Sequence, residues 1–122
     1  MKMLLSFALF IALNSAYAAQ TTLSCSEGAS YDANNVIFDL KLETNSILAK
    51  TFLEGDEFFE IYPENEIYQV TIPSGYDYDD YYEFKISNGK LIEKSHSYAG
   101  DDADSVVVVL AEGDDAFTCI EK

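Results

Sequence analysis

The 122-residue chain carries 22 acidic residues against seven basic ones, which gives a formal net charge of −15 at pH 7. Nucleic acid and anionic lipid are disfavoured as partners, because both require a basic surface. We therefore expect no nucleic-acid or membrane binding. The acidic field favours a cationic protein partner or metal ions. The same acidity has a simpler explanation, since it keeps a small exported protein soluble and monomeric, and we expect a monomer.

Residues 1–18 have the features of a secretory signal peptide. Lys2 precedes an apolar run that ends at Leu13, and an Ala-x-Ala pattern then favours cleavage after Ala18, with Ala19 as the near alternative. The run is too short to cross a membrane as a helix, which takes about 20 apolar residues. The sequence therefore predicts a protein that is secreted or periplasmic.

Residues 19–122 are predicted to form a single domain. The chain has two cysteines, Cys25 and Cys119, one near each end of this domain. Disulfides persist in exported proteins. The rival interpretation, two free or reactive thiols, lacks the Cys-x-x-Cys spacing of redox sites. We predict a disulfide that joins the first strand to the last.

The predicted elements are nearly all strands, because apolar and polar residues alternate along most of the chain. No segment shows a convincing helical period. About eight to nine short strands with this spacing indicate an all-β fold, a small antiparallel meander barrel or a strongly curled sandwich. In chain order the predicted strands are Leu23–Ser26, Asn35–Glu43, Ile47–Glu54, Phe58–Tyr62, Ile67–Ile72, Tyr82–Ile86, Leu91–His96, Asp104–Leu110 and Ala116–Ile120.

Two local patterns give more detailed expectations. Asn88-Gly89 is typical of a type I′ hairpin turn, since both residues accept positive φ angles. A two-residue turn there places Ile86 opposite Leu91 and Glu83 opposite Lys94. Further along, the four consecutive valines Val106–Val109 are too β-branched for a comfortable helix. Both faces of that strand are expected to need cover, either within this chain or by another one.

The sequence predicts no catalytic residues. His96 is the only histidine, and its neighbours Ser95 and Ser97 point to the opposite face of a strand. We expect His96 at the surface or rim. Paired carboxylates for glycoside hydrolysis are not diagnostic among so many acids, and a small barrel leaves little room for a sugar cleft. We therefore predict a protein that is not an enzyme.

The predicted cofactor content is none, with calcium as the alternative. Calcium prefers oxygen ligands, and the acidic turn containing Asp101, Asp102 and Asp104 offers three carboxylates. The EF-hand loop pattern is missing. Asp-rich turns are also ordinary hairpin connections, which explains most of the acidic turns in this chain.

A tyrosine-rich acidic segment is the predicted partner-binding site. Tyrosine supplies rigid contact area at interfaces, and the neighbouring carboxylates suit a cationic partner. The candidate residues are Tyr76, Asp77, Tyr78, Asp79, Asp80 and Tyr81.

The sequence as a whole predicts a small acidic exported β-module that binds a basic protein partner without catalysis, with inhibition as one form of that binding. The alternative is a calcium-binding or structural surface or periplasmic protein. The layout of export signal, strands and single bridge is similar to that of small periplasmic barrels that inhibit lysozyme. That family's inhibitory motif is missing here, so no residue role is transferred.

Overall fold

The computed structural model describes residues 20–51, 55–73, 77–100, 102 and 104–122. The predicted signal peptide lies outside these ranges. The described part contains nine strands: β1 (Gln20–Glu27), β2 (Val36–Glu43), β3 (Ile47–Thr51), β4 (Phe59–Ile61), β5 (Tyr68–Pro73), β6 (Tyr78–Ser87), β7 (Lys90–Gly100), β8 (Val108–Glu112) and β9 (Phe117–Glu121). Short 3-10 helices occur at Ala33–Asn35 and Gly113–Asp115. Within the same ranges, no helix has the length and apolar character needed to cross a membrane.

The strands form two antiparallel sheets rather than a closed barrel. The first sheet has the order β4-β3-β2-β1-β9, and the second has the order β5-β6-β7-β8. Most neighbouring strands are also consecutive in the chain, as in a meander. The exception is β9, which returns from the second sheet to pair with β1. The predicted all-β fold is confirmed, with the curled sandwich as the observed form.

The predicted disulfide is confirmed. Cys25 and Cys119 are directly opposite each other on β1 and β9, with Cα atoms 4.0 Å apart. Cys25 is fully buried and belongs to the hydrophobic core. The bridge therefore fastens the first described strand to the last one within a single sheet.

Aromatic side chains from both sheets meet in the core. Phe38 and Phe117 extend from the five-stranded sheet, and Tyr82 and Phe84 extend from the four-stranded one. Phe38 lies 5.5 Å from Tyr82 and 5.4 Å from Phe117 between ring centroids. Phe117 also contacts Tyr82 and Phe84 in edge-to-face geometry. Such pairs add about 0.5–1.5 kcal/mol each to the stabilisation from area burial, and here they join the two layers.

The β6–β7 hairpin matches its predicted turn but not its whole predicted register. Asn88 and Gly89 have φ angles of 52° and 76°, and Ile86 pairs with Leu91. The predicted pairing of Glu83 with Lys94 is wrong, because Glu83 pairs with Ser95. A register shift between Glu83 and Lys85 accounts for the difference, and Glu93, opposite this shift, has a φ of 51°. The extra residue of this β-bulge moves every later pair by one position.

No other part of the described chain covers the two faces of the valine strand. Val106–Val109 and Leu110 are each at least 40% exposed. They precede or belong to β8, which pairs with β7 along one side and ends the four-stranded sheet. Consecutive strand residues point to opposite faces, so both faces of this edge are open to solvent.

Candidate protein-binding surface

The predicted tyrosine-rich acidic segment forms the start of β6 and is divided between two faces of the sheet. Tyr78 and Asp80 lie on the same face as the buried Tyr82, whereas Asp79 and Tyr81 lie on the opposite face. Asp77 precedes the strand and is exposed, and Tyr76 lies outside the described residues. The five described candidates are therefore neighbours in sequence, but they do not converge on one point.

Asp79 and Tyr81 belong to the outer face of the four-stranded sheet, the face turned away from the five-stranded sheet. Tyr81 is opposite Ser97 on β7, and Ser97 is opposite Val109 on β8. Asp79 is opposite Ala99 in the next row. The small side chains of Ser97 and Ala99 therefore lie between the β6 residues and the exposed valine edge. Ser97 is 3% exposed and Ala99 is 6% exposed, so these rows link the predicted acidic and aromatic residues to that edge through buried positions.

Tyr78 and Asp80 occupy the inner side of the same strand. Tyr78 is 52% exposed and meets the Tyr98 ring edge-to-face, with ring centroids 5.8 Å apart. A hydrogen bond joins Asp80 Oδ1 and His96 Nε2, which are 2.7 Å apart. Asp80 therefore has a structural contact of its own, and Tyr78 is the exposed aromatic of this pair.

His96 is buried, so the expectation of a surface or rim position is wrong. Its residue exposure is 4%, and its ring stacks on Tyr82 with centroids 4.3 Å apart. The second ring nitrogen, Nδ1, lies 3.1 Å from Glu27 Oε1. Because Glu27 is on β1 and Asp80 is on β6, the imidazole links the two sheets through two carboxylates. Burial raises the pKa of the Tyr82 hydroxyl, and the charges of Glu27 and Asp80 raise it further.

The lysines of the described ranges are largely occupied by contacts within the chain. Among them, Lys90 alone makes no ion pair or aromatic ring contact. The other contacts are Lys41 over the Phe58 ring, Lys50 and Lys122 with Asp39, Lys85 with Glu93, and Lys94 with Asp114. The hydrogen bond and charge of Glu93 raise the pKa of Lys85. Few cations are left to neutralise the remaining carboxylates.

A separate pocket of about 360 Å³ lies beside the five-stranded sheet. Asp39 lines it, and its Oδ2 atom lies 2.8 Å from Lys122 Nζ and 3.7 Å from Lys50 Nζ. Tyr31 and Ser24, also in the lining, share a hydrogen bond of 2.8 Å. Asp39 Oδ1 is buried and has no hydrogen-bond partner among the described residues. The pocket therefore offers little exposed surface of this oxygen to a ligand.

The proposed calcium ligands are only partly described. Asp101 lies outside the described residues, whereas Asp102 and Asp104 are exposed and belong to the turn before the valine run. The backbone N–H of Ser105 donates a hydrogen bond to the Asp102 carbonyl at 3.0 Å. In the part of the chain that is described, no group of three or more His, Cys, Asp or Glu residues is arranged to hold a metal ion.

Comparison with other proteins gives no relative from which a function could be transferred. No protein-family model matches the chain, and no match was found among curated proteins or among solved structures. We therefore infer function from the chemistry of the surface itself.

Sequence reasoning missed two features of this surface. The contacts of His96 with Glu27 and Asp80 depend on how the sheets stack, and alternation within a strand carries no information on that. The exposure of the valine run had a local signal, because acidic residues precede it and follow it in the sequence. Charged flanks are a common way to protect an edge strand.

Proposed function

We propose that this protein is a non-catalytic module that binds a basic protein in an oxidising, exported compartment. One observation carries the proposal: in the described ranges, most lysines contact groups of the same chain, while many acids are exposed without a cation beside them. A surface in that state gains from an external cationic partner, which electrostatic steering also brings to it faster.

The outer face of the four-stranded sheet is the proposed contact surface. It combines the Asp79 carboxylate and the Tyr81 ring with the apolar side chain of Val109, at the end of the same row as Tyr81. Protein interfaces favour this composition, with aromatic and apolar contacts at the centre and charges at the rim. Exposed Asp77 lies beside this face and adds to its negative charge.

Two further features support the proposal. The only histidine is buried, and both of its ring nitrogens contact carboxylates, so it is poorly placed to exchange protons with a substrate. The disulfide between Cys25 and Cys119 suits an oxidising compartment. A complex that covers the functional surface of the basic partner would inhibit it, which is the inhibitory form of the proposal.

Affinity capture at two salt concentrations tests this function. Immobilised protein is exposed to the exported protein fraction of its own source, and retained proteins are identified by mass spectrometry and titrated individually by calorimetry. We expect retained proteins to be basic and their affinity to fall as salt rises, because exposed charges are screened within about 8–10 Å at physiological salt. Retention of no basic protein, or affinity independent of salt, would contradict the proposal.

A matched pair of variants tests the location. Asp79→Asn with Glu83→Gln removes two charges from the outer face of the four-stranded sheet. Glu43→Gln with Glu121→Gln removes two charges from the five-stranded sheet, so both variants have the same net charge. We expect the first pair to weaken binding of the captured basic protein by about tenfold more than the second. Equal losses would show attraction by net charge alone, without this surface.

A further inference from the structure

The free edge of β8 is the feature that the function proposed above leaves unexplained. β8 pairs with β7 on one side, and it is the last strand of its sheet. The exposed fraction is 78% for Val106, 58% for Val107 and 55% for Val109. Exposed large apolar residues elsewhere in the described ranges are isolated along the chain, whereas Val106–Leu110 is a continuous run of five.

Such an edge is chemically prepared to accept another strand. The side of β8 away from β7 presents backbone N–H and C=O groups that no strand of the described ranges pairs with. A peptide that adds there gains main-chain hydrogen bonds, and its alternate side chains contact the two exposed faces of the run. The apolar side chains of the run would be buried against the added strand, which stabilises the complex in addition to the main-chain hydrogen bonds.

The charges at the two ends of the run determine which strand fits. Asp102 and Asp104 precede the run, and Glu112 follows it at the end of β8. If a second copy paired antiparallel about Val108, Asp104 of each copy would face Glu112 of the other. Like charges directly opposite each other are destabilising. These acids therefore oppose self-pairing and favour a strand with an apolar centre and cationic ends.

We propose that β8 is a docking edge for an extended, lysine- or arginine-flanked segment of a basic protein, which adds to the four-stranded sheet as a fifth strand. The proposal depends on the function proposed above and specifies how the partner is held. Because acids lie at both ends of the run, a parallel and an antiparallel segment both place cations near carboxylates. The segment extends the outer face from Tyr81 through Ser97 and Val109 onto the partner.

Two synthetic peptides of equal charge provide the direct test. One alternates valine and threonine between lysines at both ends, and the control has proline in place of the central valine. Proline removes a donor and prevents continuous strand pairing. We expect the strand peptide to bind at least about tenfold more tightly in calorimetry. We also expect amide hydrogen exchange to slow at Val107–Leu110 when it binds.

A matched pair of protein variants places the contact. Val109→Lys puts a charge on the β8 edge, and Ile120→Lys makes the same change at an exposed position of β9, the edge of the other sheet. Both positions are exposed, and thermal melting confirms that both variants fold. We expect Val109→Lys to abolish the preference for the strand peptide and Ile120→Lys to retain it.

The outcomes separate this proposal from the proposed function. If both peptides bind equally well and salt weakens both, acidic attraction is real but β8 is not a docking edge. If neither peptide binds while a basic protein is still captured, docking at β8 is again overturned and the proposed function survives. Concentration-dependent dimerisation that Val109→Lys abolishes would also overturn it, because the edge would then serve self-association. Loss of all binding to basic proteins removes both proposals.

Discussion

His96 shows how one buried polar side chain connects the two layers of the sandwich. Its ring stacks on Tyr82, while Nε2 and Nδ1 contact Asp80 and Glu27 on different sheets. The Nε2 atom shares a hydrogen bond with Asp80, and Nδ1 lies 3.1 Å from Glu27 Oε1. Buried polar groups are costly when a partner is removed. The imidazole is therefore a structural link between the sheets.

Replacement of His96 by phenylalanine tests this link. His96→Phe preserves an aromatic ring against Tyr82 but removes the hydrogen bond with Asp80 and the polar contact with Glu27. The Asp80 side chain is only 17% exposed, so we expect the free energy of unfolding to fall by about 1–3 kcal/mol in urea denaturation. The Glu27 side chain is 60% exposed, and Glu27→Gln should cost no more than about 1 kcal/mol. Equal effects of the two variants would contradict the role of burial.

For single residues, the sequence indicated which side chains matter better than it indicated their burial and contacts. His96 was recognisable as the only histidine, but its contact with Glu27, which belongs to a different sheet, depends on how the two sheets pack. Cys25 and Cys119 were predictable as a pair because the chain offers no other cysteine. A residue with one available partner can be assigned from sequence, whereas a carboxylate partner must be chosen from 22 acids.

The β6–β7 hairpin shows which of its features are determined by the local sequence and which by tertiary packing. The turn follows from Asn88 and Gly89, whose positive φ angles suit the right-handed twist of the flanking strands. The β-bulge opposite Phe84 does not follow from the sequence, because Glu93 is an ordinary residue that adopts a φ of 51°. Tertiary packing selects that conformation, so the pairing of β6 residues before Lys85 with β7 could not be predicted from the sequence.

Replacement of Gly89 by alanine measures the local contribution of the turn. A Cβ at this position would meet no atom within 4 Å, so the cost arises from the backbone alone. We expect Gly89→Ala to lower the free energy of unfolding by about 1–2 kcal/mol, the penalty for a left-handed residue with a Cβ. Lys90→Ala, at the exposed start of β7, should change it by less than about 0.5 kcal/mol. A Gly89→Ala variant as stable as wild type in urea titration would refute this account.

For β8, the sequence predicted the strand but not what covers its side chains. The β-branched composition of Val106–Val109 correctly indicated extended structure near this position, although the strand begins at Val108. The source of its cover could not be predicted from the sequence, because hydrophobicity reports a preference for contact and not which contact satisfies it. Its position at the end of the four-stranded sheet leaves this run uncovered within the described chain, and an external strand is the cover we propose.

Across the whole molecule, an aromatic core and one covalent link oppose a strong internal repulsion. The net charge of −15 favours expansion of the chain. The core of Phe38, Tyr82, Phe84 and Phe117 holds the sheets face to face. The bridge between β1 and β9 closes a separation of 94 residues. Its main effect is to restrict the unfolded chain, which charge repulsion would otherwise expand.

Removal of the disulfide tests this balance. In Cys25→Ala with Cys119→Ala, β1 and β9 retain their antiparallel pairing from Leu23 to Glu27, so we expect the native fold to persist. The chain-entropy model predicts a loss of about 4–5 kcal/mol in the free energy of unfolding, measured by urea denaturation. High salt should raise the free energy of unfolding of both proteins, because it screens the repulsion between carboxylates in the folded state. The increase should be smaller for the bridged protein, since its unfolded state is also compact and has similar repulsion. A loss below about 1 kcal/mol would mean that the bridge strains the native state or that the unfolded chain is already constrained without it.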